Sequence, residues 1–167
     1  MQRIAILGCS GGGKSTLARA LGAKLGLPVV HLDALYWLPG WVERDQAAFR
    51  ALQAEALKGD RWVVDGGYGG TIDLRLPRAD TIVVLERSRL VCLQRVIWRW
   101  LTHLGRTRID MGAGCPEKVD WEFVQFIWTY RRRTWPKHAR AIAEMGGRAR
   151  LVHLRSDREV RAFIDAA

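Results

Sequence analysis

The stretch Ile4-Ala5-Ile6-Leu7-Gly8-Cys9-Ser10-Gly11-Gly12-Gly13-Lys14-Ser15-Thr16 decides how this chain folds. Four apolar residues run straight into a loop with glycine at positions 8, 11, 12 and 13, and then into a helical pattern. A continuous apolar run of this length suits a strand buried on both faces. Arg3 to Leu7 is therefore expected as a strand, and Ser15 to Leu25 as a helix stopped by Gly26. The loop between them fits G-x-x-x-x-G-K-[ST], with Gly8, Gly13, Lys14 and Ser15 in the fixed places. Backbone N–H groups of such a loop, and those of the helix start, converge on phosphate oxygens. Bulky side chains would block that approach. Gly8, Ser10, Gly11, Gly12, Gly13, Lys14, Ser15 and Thr16 are thus the candidate cradle for the phosphates of ATP. Lys14 would reach the β and γ phosphates, and the Ser15 hydroxyl would ligate Mg²⁺.

Outward from this loop, short β-branched runs alternate with helical stretches. Strands are expected at Pro28–Leu32, Trp62–Asp65, Thr81–Leu85 and Ala149–Leu154. Asp45–Lys58 has helical spacing, with Ala48, Leu52 and Leu57 on or near one face. Ser88 can cap a helix through Leu104 whose apolar stripe is Leu90, Leu93, Ile97, Leu101 and Leu104. Asp120 can cap another through about Arg133, and Pro136 should break or restart it. Ser156-Asp157-Arg158-Glu159 is a capping box before a last helix. This alternation predicts a single α/β domain over 1–167, a parallel sheet with helices on both faces. The run GRTRIDMGAGCPEKV, 105–119, is glycine-rich, basic and aperiodic. A loop of that length in a compact domain is usually functional or disordered.

Composition narrows the classes. The 167 residues carry 27 Lys and Arg against 17 Asp and Glu, a formal charge of +10. Such a surplus either attracts nucleic acid or collects phosphates at one site. No apolar run approaches the roughly 20 residues of a membrane span. The apolar start before the glycines is too short for a secretory signal, so a cytoplasmic protein is expected. Cys9, Cys92 and Cys115 form no CxxC pair, which argues against a disulfide framework or a zinc site. Cys9, inside the loop at a helix start, is either a reactive thiol or a small residue that fits.

Ligands of open parallel sheets bind beyond the carboxyl ends of the strands, so the residues just past each strand form the candidate site. Asp33 comes after the second strand and can orient or deprotonate an acceptor hydroxyl; His31 before it reads as a packed core histidine. Asp65 ends the third strand and is the candidate magnesium-positioning carboxylate, ahead of Glu86 after the fourth. Gly66, Gly67, Gly69 and Gly70 would let a substrate approach the backbone. Arg106 and Arg108 in the aperiodic segment, and one or two of Arg131, Arg132 and Arg133, are candidates to stabilise charge during phosphoryl transfer. Trp62, Trp98, Trp100 and Trp128 are expected in the core or half-buried; Trp37 and Trp41 either stack on a planar acceptor or pack under a loop.

Four segments, GCSGGGKSTLARALG, HLDALYW, WVVDGGYGGTIDLRLPRAD and TRIDMGAGCPEK, together resemble bacterial P-loop proteins named for DNA topology modulation and also described as adenylate-kinase-like. The resemblance implies a nucleoside-monophosphate-kinase-like fold, strand order 2-3-1-4-5, with a lid at about 105–119. It implies that Gly8–Thr16 is the ATP phosphate loop, that Asp65 acts through magnesium, and that Arg106 and Arg108 are lid arginines. It also places Arg131 to Arg133 on the helix after the lid, and Arg155 and Ser156 where that fold holds adenine. Two departures stand out. Gly67-Tyr68-Gly69 replaces the Phe-Pro-Arg whose arginine grips an acceptor phosphate, leaving Arg75 as a candidate substitute. Asp33 is more like small-molecule or nucleoside kinases. The leading expectation is an Mg-ATP-dependent kinase of a nucleoside, nucleotide or other small molecule. The alternatives are a nucleic-acid-binding protein with a P-loop switch, and a plain ATPase. The latter lacks the strand-end Asp-Glu pair that activates water, since Gly66 comes directly after Asp65.

Overall fold

The computed structural model describes residues 1–102 and 110–167. In chain order the elements are β1 (Arg3–Gly8), α1 (Lys14–Leu25), β2 (Val29–His31), α2 (Leu32–Tyr36), β3 (Trp37–Leu38), β4 (Val42–Glu43), α3 (Gln46–Ala56) and β5 (Trp62–Asp65). Two 3-10 turns, Gly69–Leu74 and Leu76–Arg78, lead to β6 (Thr81–Leu85). After it come α4 (Arg89–Thr102), α5 (Trp121–Arg133), α6 (Trp135–Met145), β7 (Arg150–Leu154) and α7 (Asp157–Asp165). The parallel sheet has the order β2-β5-β1-β6-β7, which is 2-3-1-4-5 when its five strands are numbered alone.

Strand alternation sorts the core into two layers. Ala5, Leu7, Val64, Ile82 and Val84 face one side, where Leu32, Phe49 and Ala141 of α2, α3 and α6 cover them. Ile4, Ile6, Val63, Val83 and Leu85 face the other, against Leu17, Ala18 and Leu21 of α1. Between the layers, β1 and β6 are central strands, hydrogen-bonded on both edges. The register aligns the strand ends: Ile6 opposes Asp65, His31 opposes Asp65, and Gly8 opposes Leu85.

The caps expected from sequence form. Asp120 accepts the Phe123 N–H at 2.8 Å, and Ser156 accepts the Glu159 N–H at 3.2 Å. Pro136 sits in the first turn of α6, so the chain restarts as a new helix. Several details differ from expectation. Strand β2 stops at His31, and Asp33 falls in the helical turn beyond it. The buried line of α3 is Phe49 and Gln53, ending at Leu57. Leu52, placed in it by spacing, is 39% exposed. Helix α4 is turned over. It buries Cys92 and Val96, while Leu90, Ile97 and Leu101 of the predicted stripe are exposed and Leu104 lies outside the described residues. Trp98 and Trp128 are exposed as well, against the expected burial, whereas Trp62 is in the core. The β3–β4 hairpin has no signal in the sequence pattern; its strands are only two residues each. No helix among the described residues is long and apolar enough to cross a membrane.

Asp80 fastens the start of β1, accepting the backbone N–H groups of Gln2 and Arg3 at 2.7 and 2.9 Å. Burial works to raise its pKa, but these two amides and the Thr81 hydroxyl outweigh that and leave it lowered. A depressed carboxylate contributes stability above its unfolded value and loses it as pH falls through the folded one. Asp80→Asn should therefore cost about 1–2 kcal/mol at neutral pH in urea unfolding. The gap to the native chain should close as pH drops below about 4.

Candidate active site

The glycine loop closes on α4 at van der Waals limits. A Cβ on Gly11 would lie 2.4 Å from the Cys92 carbonyl oxygen, and its φ of +77° is itself glycine territory. Gly13, at φ +97°, is the N-cap of α1 and turns the chain into the helix. Gly8 and Ser10 to Thr16 all line one cleft of about 1360 Å³. The Lys14 ammonium donates to the Cys9 carbonyl at 3.0 Å, which arches it over the loop. Cys9 is buried beside Cys92. The hydrogen bond between the two thiols, together with burial, pushes Cys9 up.

Beside the loop, the Ser15 hydroxyl donates to Asp65 Oδ2 at 2.8 Å. Asp65 is 4% exposed. Its other oxygen lies 2.5 Å from His31 Nδ1. Burial of His31 opposes its charge, but the Asp65 carboxylate outweighs that and raises its pKa. His31 is thus a partner of the site's acid. A hydroxyl and a carboxylate at this spacing are hard oxygen donors of the kind that hold Mg²⁺ alongside nucleotide phosphates. Among the described residues no cluster of three His, Cys, Asp or Glu side chains forms a self-sufficient metal site. Glu86 is bonded to His153 and Arg155 and does not line the cleft.

Across the cleft, Tyr68 O–H donates to Asp33 Oδ1 at 2.6 Å. Burial and the Asp33 charge hold that phenol protonated. The second Asp33 oxygen has no partner among the described residues. The loop that carries Tyr68 is held from behind by Arg75, which is 1% exposed. Its guanidinium donates to the carbonyls of Gly66, Gly67, Tyr68 and Thr71 at 2.6–3.4 Å. Burial pushes its pKa down to about 10. Arg75 therefore builds the loop and does not reach into the cleft as an anion grip.

The other arginines divide sharply. Arg95 lies 3.6 Å from the Cβ position of Gly13 and is clasped by both oxygens of Asp157. Arg87 joins the same carboxylate, and Arg99 pairs with Glu117; all three line the cleft. Arg131, Arg132 and Arg133 are exposed on α5 and do not line it, although Tyr130 does. Arg155 is paired with Glu86 and its side chain is 72% exposed, outside the cleft lining. Arg106 and Arg108 lie outside the described residues. The cleft arginines of α4 were missed by sequence reasoning; their signal was the i, i+4 pair Arg95/Arg99 on a helix facing the loop. His138 was missed too, and no local motif announces it.

The described part of the aperiodic segment rests on the β3–β4 hairpin. Gly40 N–H donates to Gly114 O at 2.9 Å, Trp41 Nε1–H to Pro116 O at 2.9 Å, and Cys115 Sγ–H to Leu38 O at 3.2 Å. Trp37 and Trp41 meet edge to face at 5.4 Å and line the cleft.

This fold and this loop together define the architecture of P-loop kinases. Among solved structures, the chain superposes on shikimate kinase from Acinetobacter baumannii with a TM-score of 0.61 at 17% identity, covering 99% of this chain and 90% of that one. A gluconokinase from Sinorhizobium meliloti 1021 gives 0.57 at 18%, covering 99% and 92%. Shikimate kinase from Bacteroides thetaiotaomicron gives 0.53 at 21%, covering 99% and 95%. At these identities the likeness shows the shared fold. Among curated proteins, the uncharacterized YqaC of Bacillus subtilis (strain 168) is 29% identical over 116 residues, 67% of this chain; the match spans 64% of that protein. No protein-family model matches the chain.

Gly11→Ala puts a methyl against the Cys92 carbonyl in a left-handed backbone position. It should lower stability by about 2 kcal/mol or more in denaturant unfolding. It should also weaken ATP binding measured by calorimetry.

Proposed function

We propose that the chain is a kinase that moves the γ-phosphoryl group of Mg-ATP to a hydroxyl of a small molecule. One observation carries the reading: Asp33, a carboxylate with one oxygen unpartnered among the described residues, faces the same cleft as the phosphate loop and Ser15, whose hydroxyl is bonded to Asp65. The loop amides and Lys14 hold the triphosphate. Ser15 and Asp65 hold Mg²⁺, which when bound neutralises charge on the phosphates. Asp33 takes or orients the acceptor's hydroxyl proton, and Tyr68 fixes the carboxylate so that its free oxygen points outward. Arg95 beside Gly13 is placed to stabilise the charge that spreads over the transferred phosphoryl group. The lid reading of 105–119 and the part of Arg106 in it belong to this proposal. Arg131 and Arg132, exposed on α5, are given no step in it. After β7, Asp157 and Val160 flank the nucleotide end of the cleft, and Arg155 does not. Water is the poorer acceptor here, because no second carboxylate stands directly after Asp65.

Lys14→Ala should abolish phosphoryl transfer while melting temperature stays near that of the native chain. Asp33→Asn should lower kcat by about 10²–10⁴ with the KM for ATP unchanged. ADP release with and without an acceptor checks both. Full transfer by Lys14→Ala would overturn the mechanism.

A further inference from the structure

Resting on the kinase reading, we infer that the acceptor is an uncharged polyhydroxy molecule with a flat apolar face, held between Asp33 and Nε2 of His138. The donor comes first. His138 on α6 is 2% exposed, yet it lines the cleft. Its Nδ1 lies 3.2 Å from the Tyr130 hydroxyl. Burial keeps that phenol protonated; with the hydroxyl donating to Nδ1, the tautomer this proposal takes, the ring proton sits on Nε2. Nε2 has no partner among the described residues. It points at the glycine loop: a Cβ on Gly69 would lie 3.9 Å from it, and one on Gly67 4.0 Å. Side chains at 67 and 69 would cover this N–H; glycine leaves it open to the cleft. Burial, with Arg75 and Lys14 nearby, pushes His138 down to about 4. The ring is a fixed neutral donor at working pH, suited to a hydroxyl or ether oxygen.

The charge of the acceptor follows from the groups that the described residues of its wall present. A buried carboxylate or phosphate needs a cation with a matching hydrogen bond. Among the described residues, the arginines behind this wall are engaged. Arg75 is spent on four loop carbonyls, Arg44 donates to the Leu35 carbonyl at 2.7 Å, and Arg50 pairs with Asp73. Arg19, on α1, lines the cleft and acts on His31. The wall does present Asp33 and Glu43, both unfavourable to an anion, and the faces of Trp37 and Trp41. An aromatic wall with hydrogen-bonding groups on either side fits the C–H face of a sugar ring or the base of a nucleoside.

The test uses the full chain with matched acceptors that differ by one anionic group: adenosine against AMP, uridine against UMP, and glucose against gluconate. Product is read by mass spectrometry and ADP release, with a no-acceptor control. The neutral member of at least one pair should be phosphorylated with kcat/KM at least tenfold above its anionic partner. The nucleoside and sugar arms then show which scaffold carries the hydroxyls. His138→Ala should raise the acceptor KM about tenfold, the value of one lost hydrogen bond, with the KM for ATP unchanged. His138→Gln, which keeps an N–H donor, should recover most of the loss; melting curves of both variants separate binding from folding. Preference for the anionic partner, or an unchanged acceptor KM in a folded His138→Ala, would overturn the inference and leave the kinase reading standing. If no member of either arm raises ADP release above the control, the kinase reading fails first and the inference falls with it.

Discussion

The contact on which the rest of this structure depends is the approach of the glycine loop to α4. The backbone at Gly11 lies so close to the Cys92 carbonyl that even a methyl group would overlap it. A loop that must turn its amides inward toward phosphate has to rest on something along its outer side. Here that support is the backbone and small side chains of one helix turn. The requirement explains why α4 presents Cys92 and Val96 inward and sends its larger apolar residues outward. It also explains the position of Arg95 and Arg99, three and seven residues past Cys92, which the helical repeat brings along the cleft side.

That same contact marks the limit of what spacing could reveal. The loop and the strands were legible because each rests on local chemistry: an apolar run, a glycine at a positive φ, a capping side chain; the order of the sheet came only from the family resemblance. Ser15 and Asp65 were legible as magnesium-side residues because one opens the helix after the phosphate loop and the other ends a strand of the same parallel sheet. The face of α4 was not. Leu90, Ile97 and Leu101 make the stronger apolar stripe, yet the tertiary demand for small residues against Gly11 overrode it. The face of α3 failed for a related reason: Gln53 is buried because its amide donates to the Thr71 carbonyl of the loop after β5 at 3.3 Å. A polar residue with a specific partner cannot be told from a solvated one by periodicity.

Arg75 shows the same lesson in the site itself. By sequence it could replace the arginine that grips an acceptor phosphate in adenylate kinases. In the fold it is the least exposed charged residue of the loop that follows β5. Four carbonyls of Gly66, Gly67, Tyr68 and Thr71 converge on one guanidinium. A glycine-rich loop has few side chains with which to hold its own shape. A buried fork of N–H donors does that work instead, and the conformation so fixed carries Tyr68 to Asp33.

The cleft is therefore divided electrostatically along its length. At one end backbone amides, Lys14 and Arg95 favour negative charge; at the other Asp33, Glu43 and aromatic rings do not. Coulomb interactions in a partly enclosed cleft fall off slowly, so this gradient does more than bind. On the proposed kinase reading, it would orient a triphosphate with its tail toward Asp33 and discourage a second polyanion from lying head to head with the first. An acceptor that brought its own phosphate would need cations at the far end to offset that repulsion. Among the described residues, Arg44, Arg50 and Arg75 behind this wall are engaged with other groups, and Asp33, His138, Trp37 and Trp41 give it the chemistry of a hydrogen-bonding, aromatic surface.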